Sequence, residues 1–94
     1  MEQLIVAFDI GDKRIGVAWS DPFLQYAIPS ETYFRTGNFL EDVKAVARIA
    51  SERGAGKIVC GLPLNADGTE SVQTEKTRRF VSALEKETAL PGMF

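Results

Sequence analysis

Two short apolar runs near the beginning of the chain are separated by a polar turn. The first run, residues 4–8, has apolar side chains on both faces, which is typical of a central strand buried on both sides. The second run, residues 15–19, has large residues on one face and only small residues on the other. Because residues 11–14 between them form a Gly-containing polar turn, the two runs predict a β-hairpin. The small-residue face indicates that a helix or a substrate packs closely there.

A third strand and a helix are predicted next. Residues 30–35 alternate in the manner of a strand and are followed by turn residues. Asn38 is a suitable helix N-cap, and Glu41 three residues later resembles the second half of a capping box. Gly54 has the position of the glycine that follows a helix end. The predicted helix has one apolar face, formed by Phe39, Leu40, Val43, Val46, Ala47 and Ala50.

The remainder of the chain alternates strand and helix. Residues 57–61 are a short apolar strand, and residues 90–94 look like the beginning of another. Between them a helix is predicted from Thr69 or Ser71 to Glu87, and only its later half is expected to pack well because its first two turns are polar. The pattern therefore predicts one α/β domain over residues 1–94, a mixed sheet with helices on its faces. The core stripe of the second helix consists of Val72, Phe80 and Leu84, flanked by Thr77, Val81 and Ala83.

Composition narrows the chemistry that this domain can perform. The chain has 94 residues, a net charge of −2, one Cys and no His. Without His there is no Ser-His-Asp or Cys-His nucleophile pair and no HExxH zinc site. One Cys forms neither an internal disulfide nor a Cys-rich metal cluster. Any catalysis must therefore use carboxylates, hydroxyls, amines, guanidinium groups or a metal held by oxygen.

The same composition bears on location and partners. No apolar run approaches the roughly 18 residues that span a membrane, and no basic leader precedes the first apolar run. Together with the single unpaired Cys, this predicts a reduced, cytoplasmic protein that does not enter a membrane. The slightly acidic balance argues weakly against a dedicated nucleic-acid binder, although a local basic patch would override it.

Asp9 carries the strongest suggestion of chemistry. It ends the predicted central strand, where a carboxylate is costly unless it is paired or holds a metal. One interpretation is a turn aspartate that caps backbone N–H groups, and the residue taken alone favours it. The neighbours favour a functional role, because Gly11 permits a sharp turn or the close approach of a ligand. Lys13 and Arg14 place two cations beside the carboxylate.

Two segments resemble the YqgF/RuvX family, whose members are described as Holliday junction resolvases and are implicated in pre-16S rRNA processing. Residues 9–21 match its pattern D-x-G-x-K-R-x-G-x-A-x-S-D, and residues 61–65 and 67–70 are similar to its GLPLN and DGTE segments. The resemblance implies an RNase H-like fold and a metal-dependent nuclease that acts on branched DNA or precursor rRNA. It also implies that Asp9, at the family's first acidic position, is a catalytic residue and a ligand of Mg²⁺ or Mn²⁺.

The same resemblance implies a domain truncated at its C-terminus. Family members continue after the strand begun at residues 90–91 with a D-E-R-L-T-T-like segment and a last helix that carries another Asp. Asp67 and Glu70 are interpreted as a turn residue and a helix N-terminal residue, not as replacements. A fragment, a short form completed by another chain and a non-catalytic relic all fit. Because a sheet without its last helix leaves apolar surface uncovered, a homo-oligomer that covers it is expected.

Candidate nucleic-acid contacts lie in the hairpin turn, the loop after residue 60 and the second helix. The helix cations fit a solvated surface equally well, with Glu75 paired to a neighbouring Arg. Two functions stay open: a nuclease for structured nucleic acid, and a module that binds nucleic acid or a nucleotide phosphate without cleaving it. A phosphate-transfer enzyme of the actin and sugar-kinase type needs two such domains, which this length disfavours. The contact candidates are Lys13, Arg14, Asn65, Lys76, Arg78 and Arg79.

Overall fold

One mixed sheet organises the described part of the chain. The computed structural model describes residues 4–20, 27–90 and 92–94. Its elements are β1 (Leu4–Ile10), β2 (Arg14–Ser20), β3 (Ala27–Phe34), α1 (Phe39–Glu52), β4 (Ala55–Cys60), α2 (Val72–Thr88) and β5 (Gly92–Met93). The strand order is β3-β2-β1-β4-β5, with antiparallel pairing through β1, β2 and β3 and parallel pairing of β1 with β4 and of β4 with β5. The predicted α/β class, the hairpin and the strand–helix alternation are confirmed.

The hydrophobic core lies on one face of the sheet, because both helices contribute to the same buried cluster. In β1 the buried residues are Val6, Phe8 and Ile10, and the residues between them face the other way. Ile5 and Ala7 are only partly buried and Asp9 is exposed. The prediction that β1 is buried on both sides is therefore wrong for the described residues, since no helix among them covers the second face. We call this second face, which carries Ile5, Ala7, Asp9, Gly16 and Ala18, the open face.

Helix α1 begins as predicted but is capped differently. Asn38 Oδ1 accepts a hydrogen bond from the Glu41 N–H at 3.0 Å, which confirms the N-cap. The Asn38 N–H donates to Thr36 Oγ1 instead of to the Glu41 side chain, so the predicted capping box is not formed. Leu40 is 64% exposed and does not belong to the core stripe. Gly54 has φ +71° after the helix end, as the sequence predicted.

Helix α2 packs along more of its length than its polar beginning predicts. Ser71 is the N-cap and forms a capping box with Thr74. Thr74 and Thr77 are fully buried in the first half of the helix, whereas Val72 is 74% exposed and lies outside the core. The Thr74 hydroxyl donates to the Pro63 carbonyl, so its burial leaves no unsatisfied polar group. Thr74 therefore packs in the core, and its hydroxyl also binds the loop that precedes the helix.

The remaining predicted elements are found with shifted ends. β3 begins at Ala27, earlier than the predicted 30–35, and β4 covers Ala55–Cys60 instead of 57–61. Among the described residues of the predicted 90–94 strand, Gly92 and Met93 pair with β4, opposite Ile58 and Val59. Asp21, the last residue of the first matched segment, lies outside the described residues. Within the described ranges, no helix is long and apolar enough to cross a membrane.

Candidate functional site

Asp9 lies where β1 and β4 both approach their carboxyl ends. It pairs with Gly16 of β2 across the hairpin. On its other side β1 pairs with β4, where Phe8 is opposite Cys60. The Asp9 side chain projects from the open face and is exposed. Over residues 4–20, 27–90 and 92–94, its carboxylate makes neither a hydrogen bond nor an ion pair. Asp9 is therefore not the buried charge that the sequence predicted, and its accessible carboxylate suits a ligand-binding role.

Small residues leave a groove beside Asp9. A Cβ placed on Gly16 would lie 3.7 Å from the Asp9 Cβ, so the glycine leaves the flank of the carboxylate open. The groove has a volume of about 320 Å³, and Ala7, Ala18 and Thr32 contribute to its walls. The small-residue face that the sequence predicted therefore forms an accessible surface that leads to the carboxylate.

A close backbone contact between Gly11 and Arg14 makes the hairpin turn tight. The Gly11 N–H donates to the Arg14 carbonyl at 3.0 Å. A Cβ on Gly11 would lie 2.6 Å from that same oxygen, a separation that side chains do not tolerate. Gly11 is therefore required by the turn itself. The turn exposes Lys13 and Arg14, and Arg14 projects from the same face as Asp9 because it is two residues before Gly16 in β2.

Arg35 fixes this turn from the neighbouring strand end. Its N–H donates to the Lys13 carbonyl at 2.9 Å, and its Nη1 donates to the Gly11 carbonyl at 2.8 Å. Its Nε donates to Asp42 Oδ2 at 3.1 Å. One residue thereby holds two carbonyls of the segment that carries the exposed cations.

Asp42 anchors Arg35 from inside the core. The carboxylate is fully buried and also accepts hydrogen bonds from the Tyr33 hydroxyl and from the N–H and hydroxyl of Thr36, at 2.9 to 3.0 Å. Burial raises the pKa of Asp42, but these hydrogen bonds outweigh it and hold the pKa below its ordinary value. Burial, followed by the hydrogen bond to Asp42, raises the pKa of Tyr33. The carboxylate therefore stays charged at neutral pH.

Sequence reasoning missed Arg35 and Asp42. A signal was available, because Asp42 is three residues after Phe39 and four before Val46, on the apolar face of α1. A charged residue on such a face must have a partner, and a nearby Arg is the ordinary one. The sequence does not show that this partner also holds the hairpin turn.

The loop after β4 begins next to Asp9. The Gly61 N–H donates to the Phe8 carbonyl at 3.2 Å, so the chain leaves β4 beside the end of β1. Asp67 Oδ1 accepts hydrogen bonds from the N–H and the hydroxyl of Thr69, which lower the pKa of Asp67 and confirm its role in the turn. Asn65 is held by Thr69 as well, through its N–H and its Nδ2. Asn65 therefore stabilises the loop, and its supporting contact with nucleic acid stays a prediction.

The three predicted cations of α2 each pair with a different carboxylate. Arg78 forms two hydrogen bonds to the Glu70 carboxylate, at 3.0 and 3.3 Å, and so binds the helix to the loop. Arg79 pairs with Glu75 at 3.5 Å, as the alternative interpretation of a solvated helix surface expected. Lys76 pairs with Asp12 of the hairpin turn at 3.7 Å. Lys76 thus contacts the turn that carries Lys13 and Arg14, and Arg79 lines the same cleft as Asp12 of that turn, whereas Arg78 pairs with the loop.

The described residues do not form a divalent-metal site by themselves. Among them, no group of three Asp, Glu, Cys or His side chains is close enough to hold an ion. Asp9 alone supplies one carboxylate, and Mg²⁺ or Ca²⁺ in a protein takes six or more oxygen ligands, including water. The donor set therefore does not fit a complete two-ion nuclease centre, and Asp67 and Glu70 are occupied by Thr69 and Arg78.

A family model decides the relationship of this chain. The model described as RuvX, Holliday junction resolvase, matches residues 3–94. The chain belongs to the RuvX family. It is 41% identical over 90 residues to a "Putative pre-16S rRNA nuclease" of Chelativorans sp. (strain BNC1), covering 96% of this chain and 56% of that protein. A protein of the same name from Rhodopseudomonas palustris (strain BisB5) is 44% identical over 87 residues, covering 93% and 54%.

A solved structure supports the fold of this RuvX domain. A Bacteroides thetaiotaomicron protein with an actin-like ATPase fold and unknown function superposes with a TM-score of 0.58 at 5% identity, over 99% of this chain and 33% of that protein. The likeness supports the predicted fold and carries nothing about activity. The chain spans about half the length of the RuvX relatives that it matches.

Proposed function

We propose that this RuvX domain takes part in the hydrolysis of phosphodiester bonds in structured nucleic acid, with Asp9 as its catalytic carboxylate. The observation that carries the proposal is the exposed, unpaired Asp9 carboxylate at the carboxyl end of the central strand, within the described residues. Ligands of open α/β sheets commonly bind at such strand ends. The names of the RuvX relatives support a nuclease.

The cations next to Asp9 supply phosphate binding in this proposal. Lys13 and Arg14 are exposed at the turn, and Arg35 holds that turn through two carbonyls. Exposed cations beside a carboxylate can hold the phosphates on both sides of a scissile bond without neutralising the carboxylate completely. We assign Lys13 and Arg14 to backbone contacts, which orient the nucleic acid and carry no sequence information.

Mg²⁺ or Mn²⁺ is the cofactor that this proposal requires. Such an ion supplies Lewis-acid activation of the phosphate and of water when it is bound. Asp9 is the residue of this chain that would contact it, and the other protein ligands would come from outside the described residues. Of the two substrates, precursor rRNA is favoured over branched DNA by the names of the relatives, and it would place the activity in the cytoplasm.

A cleavage assay tests the proposal directly. A version of the chain extended past Phe94, the same protein with Asp9→Asn and the Chelativorans relative as positive control are incubated with Mn²⁺ and either precursor rRNA or a four-way DNA junction. Asp9→Asn is expected to lower the cleavage rate at least about 100-fold, the range seen when a group that stabilises transition-state charge is removed. Its melting temperature should not change, because the carboxylate is exposed.

Two results would contradict the proposal. Cleavage by Asp9→Asn at the wild-type rate would remove Asp9 from the mechanism. Binding of nucleic acid by the extended protein without any cleavage, under conditions in which the relative cleaves, would favour the alternative of a binding module.

A further inference from the structure

A second cleft lies on the helix side of the hairpin turn, across the sheet from the side chain of Asp9. Its volume is about 270 Å³. We call it the turn cleft and define it by an apolar floor and a charged rim. The floor is formed by Ile10, Phe39 and Phe80, and the rim carries Asp12, Lys76 and Arg79.

The rim cations are available for an anionic ligand. Lys76 and its partner Asp12 are 59% and 61% exposed, and their charged atoms are 3.7 Å apart. Arg79 and Glu75 are exposed to a similar degree and are 3.5 Å apart on one helix face. Exposed pairs of this kind contribute little to stability, so a phosphate can replace the carboxylates at small cost. The Asp12 carboxylate stays on the rim and opposes an anion there, whereas Lys76 and Arg79 attract it.

The floor offers an aromatic surface that is held in place. Phe39 is 39% exposed, and its ring packs edge-on against the buried Phe80 with the centroids 5.7 Å apart. The Arg35 guanidinium lies 5.0 Å from the Phe80 centroid and is itself fixed by Asp42 and the Gly11 carbonyl. The rings therefore pay little additional ordering cost when a ligand binds.

An exposed aromatic ring beside two cations is the combination that binds single-stranded nucleic acid, through base stacking and backbone charge. We propose that the turn cleft binds one unpaired nucleotide of the substrate, with the base against Phe39 and a neighbouring phosphate on Lys76 and Arg79. Its volume is near the lower limit of small-molecule sites, about 300 Å³, which suits one nucleotide and excludes a duplex. The inference rests on the proposed nucleic-acid function and adds that the substrate has a single-stranded stretch next to the turn.

Equilibrium binding without divalent metal tests the turn cleft separately from cleavage. The probes are a labelled ten-nucleotide single-stranded RNA, the DNA of the same sequence and the blunt RNA duplex, in EDTA at several salt concentrations. The variants are Lys76→Gln/Arg79→Gln, Phe39→Leu and Phe39→Tyr. Lys86→Gln, which removes an exposed cation from the far end of α2, is the matched control. Thermal melting verifies that each variant is folded.

The variants are expected to separate charge from stacking. The double Gln variant should reduce the slope of log affinity against log salt by about 0.7, because Lys76 and Arg79 share one phosphate and each single-strand phosphate contact contributes about that much. Phe39→Leu should weaken single-strand binding at least about 5-fold at an unchanged slope, and Phe39→Tyr should retain it. The duplex should be unaffected by Phe39→Leu, and Lys86→Gln should behave as wild type. Equal losses of affinity for the single-stranded RNA and DNA would mean that the cleft contacts the base and the phosphate. A loss of affinity for the RNA alone would mean that it also contacts the ribose hydroxyl.

Failure of this inference differs from failure of the proposed function. The turn cleft is not the site if the wild-type chain binds the single strand and the double Gln variant keeps the wild-type slope of log affinity against log salt. The same conclusion follows if Lys86→Gln lowers that slope as much as the double Gln variant does. An equal effect of Phe39→Leu on the duplex also overturns it. If the wild-type chain binds none of the three probes, the turn cleft is refuted, whereas the nucleic-acid part of the proposed function is refuted only if precursor rRNA and the four-way junction are not bound either.

Discussion

Two glycines of the first matched segment serve different physical purposes. Gly11 has no room for a side chain, because the Arg14 carbonyl oxygen would be 2.6 Å from its Cβ. Gly16 has room, since the nearest atom is the Asp9 Cβ at 3.7 Å. The sequence shows both as glycines in a hairpin and does not distinguish them. The first keeps the turn tight, and the second keeps the side of Asp9 accessible.

This difference predicts unequal effects of the same substitution. Gly11→Ala should lower the free energy of unfolding by about 1–3 kcal/mol, because the new methyl group overlaps the backbone of the turn. Gly16→Ala should change it by less than about 1 kcal/mol, because its contact is an ordinary one and alanine costs less entropy in a strand. Urea unfolding of the two variants gives the comparison. Equal destabilisation would mean that the turn relaxes and that the close approach at Gly11 is not what requires glycine.

The buried carboxylate of α1 links three elements. Asp42 comes from the helix, its partner Arg35 from the end of β3, and the carbonyls that Arg35 holds from the turn between β1 and β2. The Asp42 side chain is fully buried and that of Arg35 is 17% exposed, so the pair is poorly screened by solvent. Breaking a buried pair by removing one partner is costly, because the remaining charge has lost its compensation.

Asp42→Asn is therefore expected to destabilise the domain by about 3 kcal/mol at neutral pH. The folded-state pKa of Asp42 is below its ordinary value of 3.8. Its contribution is thus fully present above that ordinary value and is lost as the pH falls through the lower folded pKa. The wild-type free energy of unfolding should decline over this acid range, and the variant should show a smaller decline in chemical denaturation at several pH values.

Glu41→Gln is the matched control for this experiment. Glu41 is the adjacent, exposed carboxylate, and its side chain does not complete a capping box. Its substitution should change stability by less than about 0.5 kcal/mol and should keep the acid dependence of the wild type. A similar loss in both variants would contradict the special role assigned to Asp42.

The sequence predicted the order and type of the elements better than it predicted their packing. Periodicity and capping signals locate α1 and α2 because these signals are local. The exposure of Val72 and the burial of Thr74 depend on the loop that lies over the helix, which no local pattern shows. For the candidate site, Asp9 was predicted from its place at a strand end and from the family resemblance, and the turn cations from their position beside it. Arg35 was not found, since its two roles arise only when β3 is placed beside the hairpin turn.

At the scale of the whole molecule, the sheet is covered on one face. Both helices contribute to the cluster that buries Val6, Phe8 and Ile58, while Ile5, Val59 and Ala18 on the open face are only partly buried. Phe34, which is opposite Arg14 in the β2–β3 pairing, adds a 70% exposed ring to that face. Exposed apolar surface of this extent is a common origin of association, so the expected self-association remains a prediction.

Sedimentation velocity over a range of protein concentrations measures that association directly. The average mass should increase with concentration, and Phe34→Lys should lower it because a charge on the open face opposes burial. Leu40→Lys is the matched control, since Leu40 is exposed to a similar degree but lies on α1. A wild-type chain that remains monomeric at all concentrations, or equal effects of the two lysines, would contradict association through the open face.

The parallel pairing of β1 with β4 also determines how the edge at Asp9 is assembled. The hairpin joins neighbouring segments, whereas Phe8 and Cys60 meet across about fifty residues of intervening chain. Closing so long a loop has an entropic cost that the hairpin does not carry, and non-local strand contacts form slowly for that reason. The two strands that flank Lys13 and Arg14 therefore pair within a local segment of the chain. The strand pairing beside Asp9, by contrast, requires the closure of this long loop.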